Sequence, residues 1–393
     1  MAGQQQQQFV VQAVPAIADV DAETWDACAG DIDPFVSYAF LHALEESESA
    51  TAEEGWLPQH LLVQDDEGQV LACAPMYVKG HSYGEYVFDW SWASAYRRAG
   101  KDYYPKLQCC VPFTPAGGPR LLVRPDQDRE QLSRVLVTAM VELAKRHRVS
   151  GVHITFCREE EQTICTDLGL LPRVGIQYHW HNRGYDSFDD FLGALLGRKR
   201  KGIRKERREA RESGLTFRRL RGDDIKAEHW DRFYEFYLST IDRKWASPYL
   251  TRPFFDMIGE SMGDRVVLVV AEDDGRAVAG ALNLLGGEAL YGRYWGCTER
   301  HRFVHFELCY YQAIEHAIEL GLDRVEAGAQ GQHKIKRGYN PVLTYSAHWL
   351  SHPGFADAIA GFLDDERPAI RGEIDALMEN SIYSADRRRT AAE

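Results

Sequence analysis

Apolar and polar positions alternate from residue 60 to 63 and again from 69 to 78, on either side of the turn Asp65-Asp66-Glu67-Gly68. Period-two alternation around an acidic turn closed by glycine predicts a β-hairpin. The same figure returns at 266–271 and 276–285, with Gly275 closing the second turn, and a further strand-like run follows at 289–296. Helical spacing takes over elsewhere. Leu132, Leu136, Ala139 and Leu143 set an amphipathic helix over 128–147, and Phe306, Tyr310, Ala313, Ala317 and Leu320 set another over 305–320. Each helix is followed by a short apolar run, at 151–157 and 324–327, that reads as a buried strand. One unit of hairpin, strand, long helix, strand and further strand thus occurs twice. The expected fold is α/β, with two like lobes that each carry a mixed central sheet flanked by helices. The expected division is a first lobe at 9–182, a joining segment at 183–214, a second lobe at 215–370 and a frayed tail at 371–393 that ends in Arg387-Arg388-Arg389.

Composition narrows the class. The chain has 393 residues, 45% of them hydrophobic, which is enough for two real cores. No apolar run approaches the roughly 18 residues needed to span a bilayer. The glutamine-rich start lacks the features of an export signal, so a soluble cytoplasmic protein is expected. Eight cysteines show no CxxC pair and no zinc spacing, as expected for buried, reduced thiols.

The net charge of −13 argues against nucleic acid binding over the whole surface, and so draws attention to local exceptions. An apolar-faced helix predicted over 187–196 continues into residues 198–211, which hold nine cations and two carboxylates. They read either as a helix presented to phosphates, including those of a tRNA, or as a solvated arm. Residues 83–118 concentrate tyrosine, tryptophan and phenylalanine without helical period, and fit a ligand wall or an aromatic mini-core equally well. His179 and His181, two apart on a strand, share a face but have no third ligand at a useful spacing, so no metal is expected.

The most site-like stretch is Gly328-Ala329-Gln330-Gly331-Gln332-His333-Lys334, continuing through Lys336, Arg337, Gly338 and Tyr339. Glycines, an amide, an imidazole and cations leave a strand end with no acidic residue among them. That is the composition of an anion-binding turn.

The duplicated unit resembles the GCN5-related N-acetyltransferase (GNAT) superfamily. The tandem lobes, the Arg-Lys run and the Gly-Ala-Gln-Gly-Gln-His-Lys loop resemble its FemAB-like peptidoglycan biosynthesis/recognition branch over residues 35–350. The resemblance is strongest at Tyr83-Gly84-Glu85-Tyr86-Val87-Phe88-Asp89-Trp90 and at 111–120, 177–180 and 326–341. It implies tandem GNAT-like lobes and acyl transfer from acyl-CoA, or from aminoacyl-tRNA, to an amine of an amino acid, peptide or cell-wall precursor. It also admits a non-catalytic protein that binds a peptidoglycan precursor or nucleic acid on a degenerate GNAT fold. One departure concerns the donor: residues 298–304, before the second long helix, carry cations but none of the glycines that cradle a pyrophosphate.

Aminolysis needs a base, oxyanion donors and an acid for the leaving group. The expected bases are Glu326, His333 and Glu307, and the expected acid is Tyr294 or Tyr339. Arg293, Lys334 and Arg337 are expected to hold phosphate or carboxylate. Asp89, Trp90, His179, Arg204, Trp295, Gln330, Gly331 and Tyr339 complete the expected binding set, and an enzyme should bring Asp89, His179, Arg293, Gln330 and Lys334 to one site.

Overall fold

A computed structural model of the chain describes residues 8–242, 248–299, 301–328 and 331–384. It divides into two units, Met1–Gly175 with Thr344–Ala369, and Ile176–Leu343 with Ile370–Glu393.

The first unit holds two sheets. In one, Val10–Val14, His60–Gln64, Val70–Ala74 and Leu122–Val123 pair in that order, all antiparallel. The predicted hairpin is the middle pair, and Gly68 at φ 83° makes its turn where a side chain would be strained. In the other, Trp56–Pro58, Met76–Lys79, Lys106–Cys109 and Gly151–Cys157 follow one another, and the last two run parallel. The helix Arg129–His147 supplies the crossover between them; Asp128 caps its start by accepting from the Gln131 N–H. Its stripe Leu132, Leu136, Met140 and Ala144 is buried with Leu107, Val152 and Ile154.

The second unit is a single sheet in the order Thr216–Arg221, Val266–Asp273, Arg276–Leu285, Ala289–Cys297 and Arg324–Glu326, with residues 176–181 after it. Val267, Val269 and Ala271 share a core with Leu308, Ile314 and Ala317 of the second long helix. The opposite face meets the helix Ala227–Asp242, whose Phe233 and Phe236 lie against Gly280 and Gly296; a Cβ at Gly296 would come within 2.0 Å of the Phe236 carbonyl oxygen. The second long helix runs from Val304 to Glu319 but passes through a π-helical turn at Glu307–Tyr311.

This is the tandem α/β architecture that the duplicated pattern implies, with a twist in its connectivity. The strand Leu171–His181 begins in the first unit, and its second half pairs with Arg324–Glu326 in the second. The strand Asn340–Leu350 does the reverse, and residues 345–350 pair antiparallel with Gly151–Cys157. Each sheet is therefore completed by a strand whose chain neighbours belong to the other unit.

Three local expectations change. The aromatic stretch holds a helix, Trp90–Arg98, whose Trp92, Ala93 and Tyr96 are buried with Ile359 and Leu363, so part of it is the mini-core. The segment before the basic run is a separate helix, Phe188–Ala194, and the basic helix is Gly197–Arg211. The further strand of the second repeat, to which the pattern gave no bounds, is Asn340–Leu350. The tail expected to fray from 371 begins inside a helix, Pro353–Met378, and its Ile382 and Tyr383 are buried; its arginine-rich end and Gln330 lie outside the described residues. No described helix is long and apolar enough to cross a membrane.

Candidate active site

The strand Ala289–Cys297 lies parallel to Arg324–Glu326 for three residue pairs, ending at Tyr291 opposite Glu326. A bulge on its other side explains the parting. Asn283 faces Gly292 and Leu282 faces Tyr294, so Arg293 is the extra residue that bends the strand away. Gly328, at φ 81°, turns the neighbouring strand end aside. Residues 292–295 are part-accessible, and among the described residues the pairing on that edge ends at Tyr291. A strand edge that opens in this way can present a backbone N–H to a developing oxyanion.

One face of the gap carries Glu326. Its register partners are His179 and Tyr291, so all three side chains share a face. Glu326 Oε1 accepts from Arg324 Nε at 3.0 Å, and Arg324 Nη2 also reaches the Tyr291 hydroxyl at 3.3 Å. Glu326 Oε2 is buried, has no hydrogen-bond donor among the described residues, and lies 3.6 Å from His179 Nε2. Burial raises the Glu326 carboxyl above its ordinary range, although Arg324 and Arg293 pull it back. Burial also pushes His179 down to about 3, aided by Arg324 and Lys334, so its ring is neutral. Its Nε2 lies 3.3 Å from Gln177 Oε1, which fits a donor there. The result is a carboxylate of raised basicity with one open lone pair, which is what a proton acceptor requires.

The other face carries a second pair. Trp295 packs against His305 at the start of the long helix, their rings 4.9 Å apart. Within the π-helical turn, the Tyr310 hydroxyl lies 2.9 Å from His333 Nε2. Burial raises the Tyr310 phenol, so it keeps its proton at neutral pH, whereas partial burial of the ring and the cations Arg337, Lys334 and Lys336 lower His333. A protonated phenol beside a neutral imidazole is an acid with a route for its proton. π-Helical turns are frequent at functional sites because the extra residue re-aims a side chain.

The loop is held from beneath, which corrects the anion-binding assignments of Lys334 and Arg337. Arg337 is buried, lies flat over the Phe306 ring at 3.3 Å, and gives Nη2 to both Glu206 oxygens and Nη1 to the His333 carbonyl. Lys334 is 2% exposed and donates to the Gly328 carbonyl at 2.8 Å; burial lowers its amine to about 8. Both cations therefore shape the turn. Gly331, at φ 118°, lies under the His333 ring, and a Cβ there would come within 2.6 Å of it.

Glu307 is also reassigned. It is fully buried, with its oxygens on Arg207 Nε and Nη2 and on Gln312 Nε2, so it anchors the basic helix and has no path to an amine. Tyr339 is a core residue at 0% exposure, which removes it as an acid. Tyr294 packs edge-on against Tyr237 on the Glu326 side, with the Arg293 guanidinium over its ring. Arg204 is exposed beside Asp189. Asp89 and Trp90 belong to the first unit, where Asp89 is buried on Lys106 and Trp90 is exposed. No metal-ligand cluster occurs among the described residues.

Sequence reasoning missed Tyr310, Arg324 and Tyr291 as site residues. Tyr310 sits on the apolar stripe of the long helix, and its spacing marks it as core. Arg324 and Tyr291 were within reach, because alternation along each strand puts them on the Glu326 face.

A family model described as FemAB-like, peptidoglycan biosynthesis/recognition, matches residues 16–385. Among solved structures, the C-terminal domain of a putative lysylphosphatidylglycerol synthetase from Agrobacterium fabrum matches with a TM-score of 0.55 at 13% identity, covering 89% of this chain and 97% of that one. FemX matches with a TM-score of 0.54 at 14% identity, covering 87% and 98%. L-PGS from Bacillus licheniformis matches at 0.50 and 12% identity, covering 85% and 98%. At these identities the likeness is one of fold. No curated protein matches the sequence significantly.

Proposed function

The chain belongs to the FemAB-like peptidoglycan biosynthesis/recognition family, and from that premise we propose that it is an N-acyltransferase using the gap between Ala289–Cys297 and Arg324–Glu326. The observation that carries this reading is the pairing that stops at Tyr291 with a buried, open carboxylate oxygen at its end.

The donor's carbonyl enters the gap, and its oxygen takes a hydrogen bond from a backbone N–H on the strand edge past Tyr291. The acceptor amine approaches from the Glu326 face. Its nitrogen forms the C–N bond while Glu326 Oε2 accepts the amine proton, and neutral His179 adds no positive charge to repel the amine. Collapse breaks the bond to the leaving group, a thiolate or a ribose oxygen, and Tyr310 on the other face supplies its proton. Glu326 then releases the amine proton to solvent, and Tyr310 regains one through the His333 ring, which gives Nε2–H as Nδ1 takes a proton from water. Gly331 and the held loop keep the His333 ring in place.

Two donors fit the family, acyl-CoA and aminoacyl-tRNA. The basic helix favours a polyanionic donor. Arg204, Arg207, Arg208 and Arg211, against Asp189, Glu212 and Glu315, line a cleft of ≈ 440 Å³ with Phe188 and Leu192, and Arg207 is pinned there by Glu307 and Glu315. The acceptor is an amine of an amino acid, peptide or cell-wall precursor, in the cytoplasm. The test is a thermal-shift panel of acetyl-CoA, longer acyl-CoAs, aminoacyl-tRNA and UDP-linked muropeptides, followed by turnover with whichever donor raises the midpoint. A shift with a donor and turnover lost in Glu326→Gln support the reading. Binding without turnover in the unaltered chain overturns it in favour of a recognition protein.

A further inference from the structure

In the first unit three largely buried cations hold one loop. Lys106, fully enclosed, donates to Glu85 Oε2 at 2.7 Å and Asp89 Oδ2 at 2.5 Å. Lys79, equally enclosed and 3.4 Å from the Trp56 ring centroid, donates to the Tyr83 carbonyl at 3.2 Å. Arg173, bidentate on Glu366, gives its remaining nitrogen to the Phe88 carbonyl at 2.9 Å. Taking cations out of water is costly, and here the return is a loop fixed at positions 83, 85, 88 and 89.

The side chains at the loop's surface point the other way. Tyr83 is 67% exposed, Phe88 55% and Trp90 41%, and the Tyr83 and Trp90 rings meet edge-on at 5.0 Å. Three large rings left in water on an immobilised backbone form a preorganised contact surface, because no loop entropy is lost when they are covered. Charge decides what covers them. Glu85 and Asp89 are buried, so the exposed charges between 80 and 102 are Arg97, Arg98, Lys101 and Asp102, with Glu54 close by at His81. Trp90 and Arg97 are seven apart on Trp90–Arg98 and share a helix face. Glu366, on the neighbouring helix, is neutralised by Arg173. In a chain of net charge −13, a surface that joins aromatic rings to three cations against two carboxylates is a local exception.

We propose that this surface rests on an anionic lipid–water interface, with Tyr83, Phe88 and Trp90 entering the headgroup layer and Arg97, Arg98 and Lys101 meeting lipid phosphates. Tyrosine and tryptophan suit that layer because each has an apolar body and a polar handle, and basic side chains add attraction to anionic lipid. Three rings give a weak, reversible contact and no insertion. The inference is independent of the acyl-transfer reading, since it rests on a different unit.

The test is co-sedimentation of the full chain with vesicles of phosphatidylcholine containing phosphatidylglycerol, and with vesicles of phosphatidylcholine alone. The unaltered chain should pellet with the mixed vesicles and less with the neutral ones. The double variant Tyr83→Ala/Trp90→Ala should bind the mixed vesicles at least about tenfold more weakly. Arg97→Ser/Arg98→Ser should erase the preference for phosphatidylglycerol. All the replaced side chains are exposed, so unfolding midpoints should match the unaltered chain and exclude misfolding. Quenching of tryptophan emission by brominated lipid, lost in Trp90→Phe, would place the ring in the layer. Absence of binding to mixed vesicles, or equal binding by the aromatic variant, overturns the proposal. Binding to insoluble peptidoglycan that depends on Tyr83 and Trp90, with none to vesicles, also overturns it and assigns the surface to polysaccharide.

Discussion

The same parallel contact occurs once in each unit, and the two differ in what lies beyond it. Leu107–Cys109 runs beside Val152–Ile154 in the first unit, and Ala289–Tyr291 beside Arg324–Glu326 in the second, for three residue pairs each. Past the third pair the first unit is closed by its own chain. Gly118 N donates to the Phe156 carbonyl at 3.0 Å, and Arg120 gives Nε to the Thr155 carbonyl and Nη2 to that of Ala116. Glu161 takes the N–H groups of Arg120 and Leu121. From 110 to 123 every residue but Gly117 is buried. In the second unit the corresponding strand stays part-accessible, and a carboxylate oxygen is left open. Duplication yields two equivalent gaps, and a proline-rich segment bonded through backbone and guanidinium turns one of them into core. On the proposed reading, the first unit serves stability and the second chemistry.

Glu326→Gln should have the largest effect on the open side. Loss of a general base costs about 10²- to 10⁴-fold in kcat, and the unfolding midpoint at neutral pH should hold, because a neutral amide relieves the cost of a buried charge. The acid limb of kcat/KM in the unaltered chain should lie above the ordinary glutamate value, since the raised carboxyl must lose its proton to act. The mirror change is Arg120→Ala on the closed side. It strands the buried carbonyls of Thr155 and Ala116 and leaves a cavity, so stability should fall by about 2–4 kcal/mol in denaturant titrations, while folded protein retains donor affinity. If Arg120→Ala abolished donor binding at unchanged stability, the comparison would be wrong.

Tyr310→Phe should cost less, about 10- to 100-fold in kcat with KM nearly constant, and should matter least for donors with good leaving groups. The smallest effect expected is a shared acid sensitivity. Burial holds His153 and His179 down to about 3, and His348 well below its ordinary value. The unfolded chain takes up these protons near pH 6.5 and the folded chain does not. Stability should therefore be complete above about 6.5 and decline as pH falls from there toward about 3. His179→Gln and His153→Gln, followed by calorimetry across that window, should each flatten the slope by one proton.

Much of the architecture was legible because its signals are local. The glycine-closed turns at Gly68 and Gly275, the two apolar stripes and the basic run each sit within one element. Trp92 and Tyr96, four apart and both buried, were also a legible helical signal, obscured by the aromatic residues around them. Pairings between distant residues were not legible. Nothing near 340–350 announces a partner at 151–157, and nothing in Glu326 says that His179 will stand opposite it. The cationic loop shows the same limit. Its charges can be counted in sequence, but that Arg337 would find Glu206 on the basic helix, and Lys334 the Gly328 carbonyl, depends on the tertiary fold. A π-helical turn has no sequence period of its own, so the direction in which Tyr310 points had to come from the structure.

Hydrogen exchange of the full chain, with and without acetyl-CoA, a longer acyl-CoA and an aminoacyl-tRNA, tests the central claim most directly. A bound donor should slow exchange at residues 291–296 and across 326–338, and leave 107–121 and 152–157 unchanged. Protection at 107–121 without any at 291–296, or no protection anywhere with all three donors, would contradict the account.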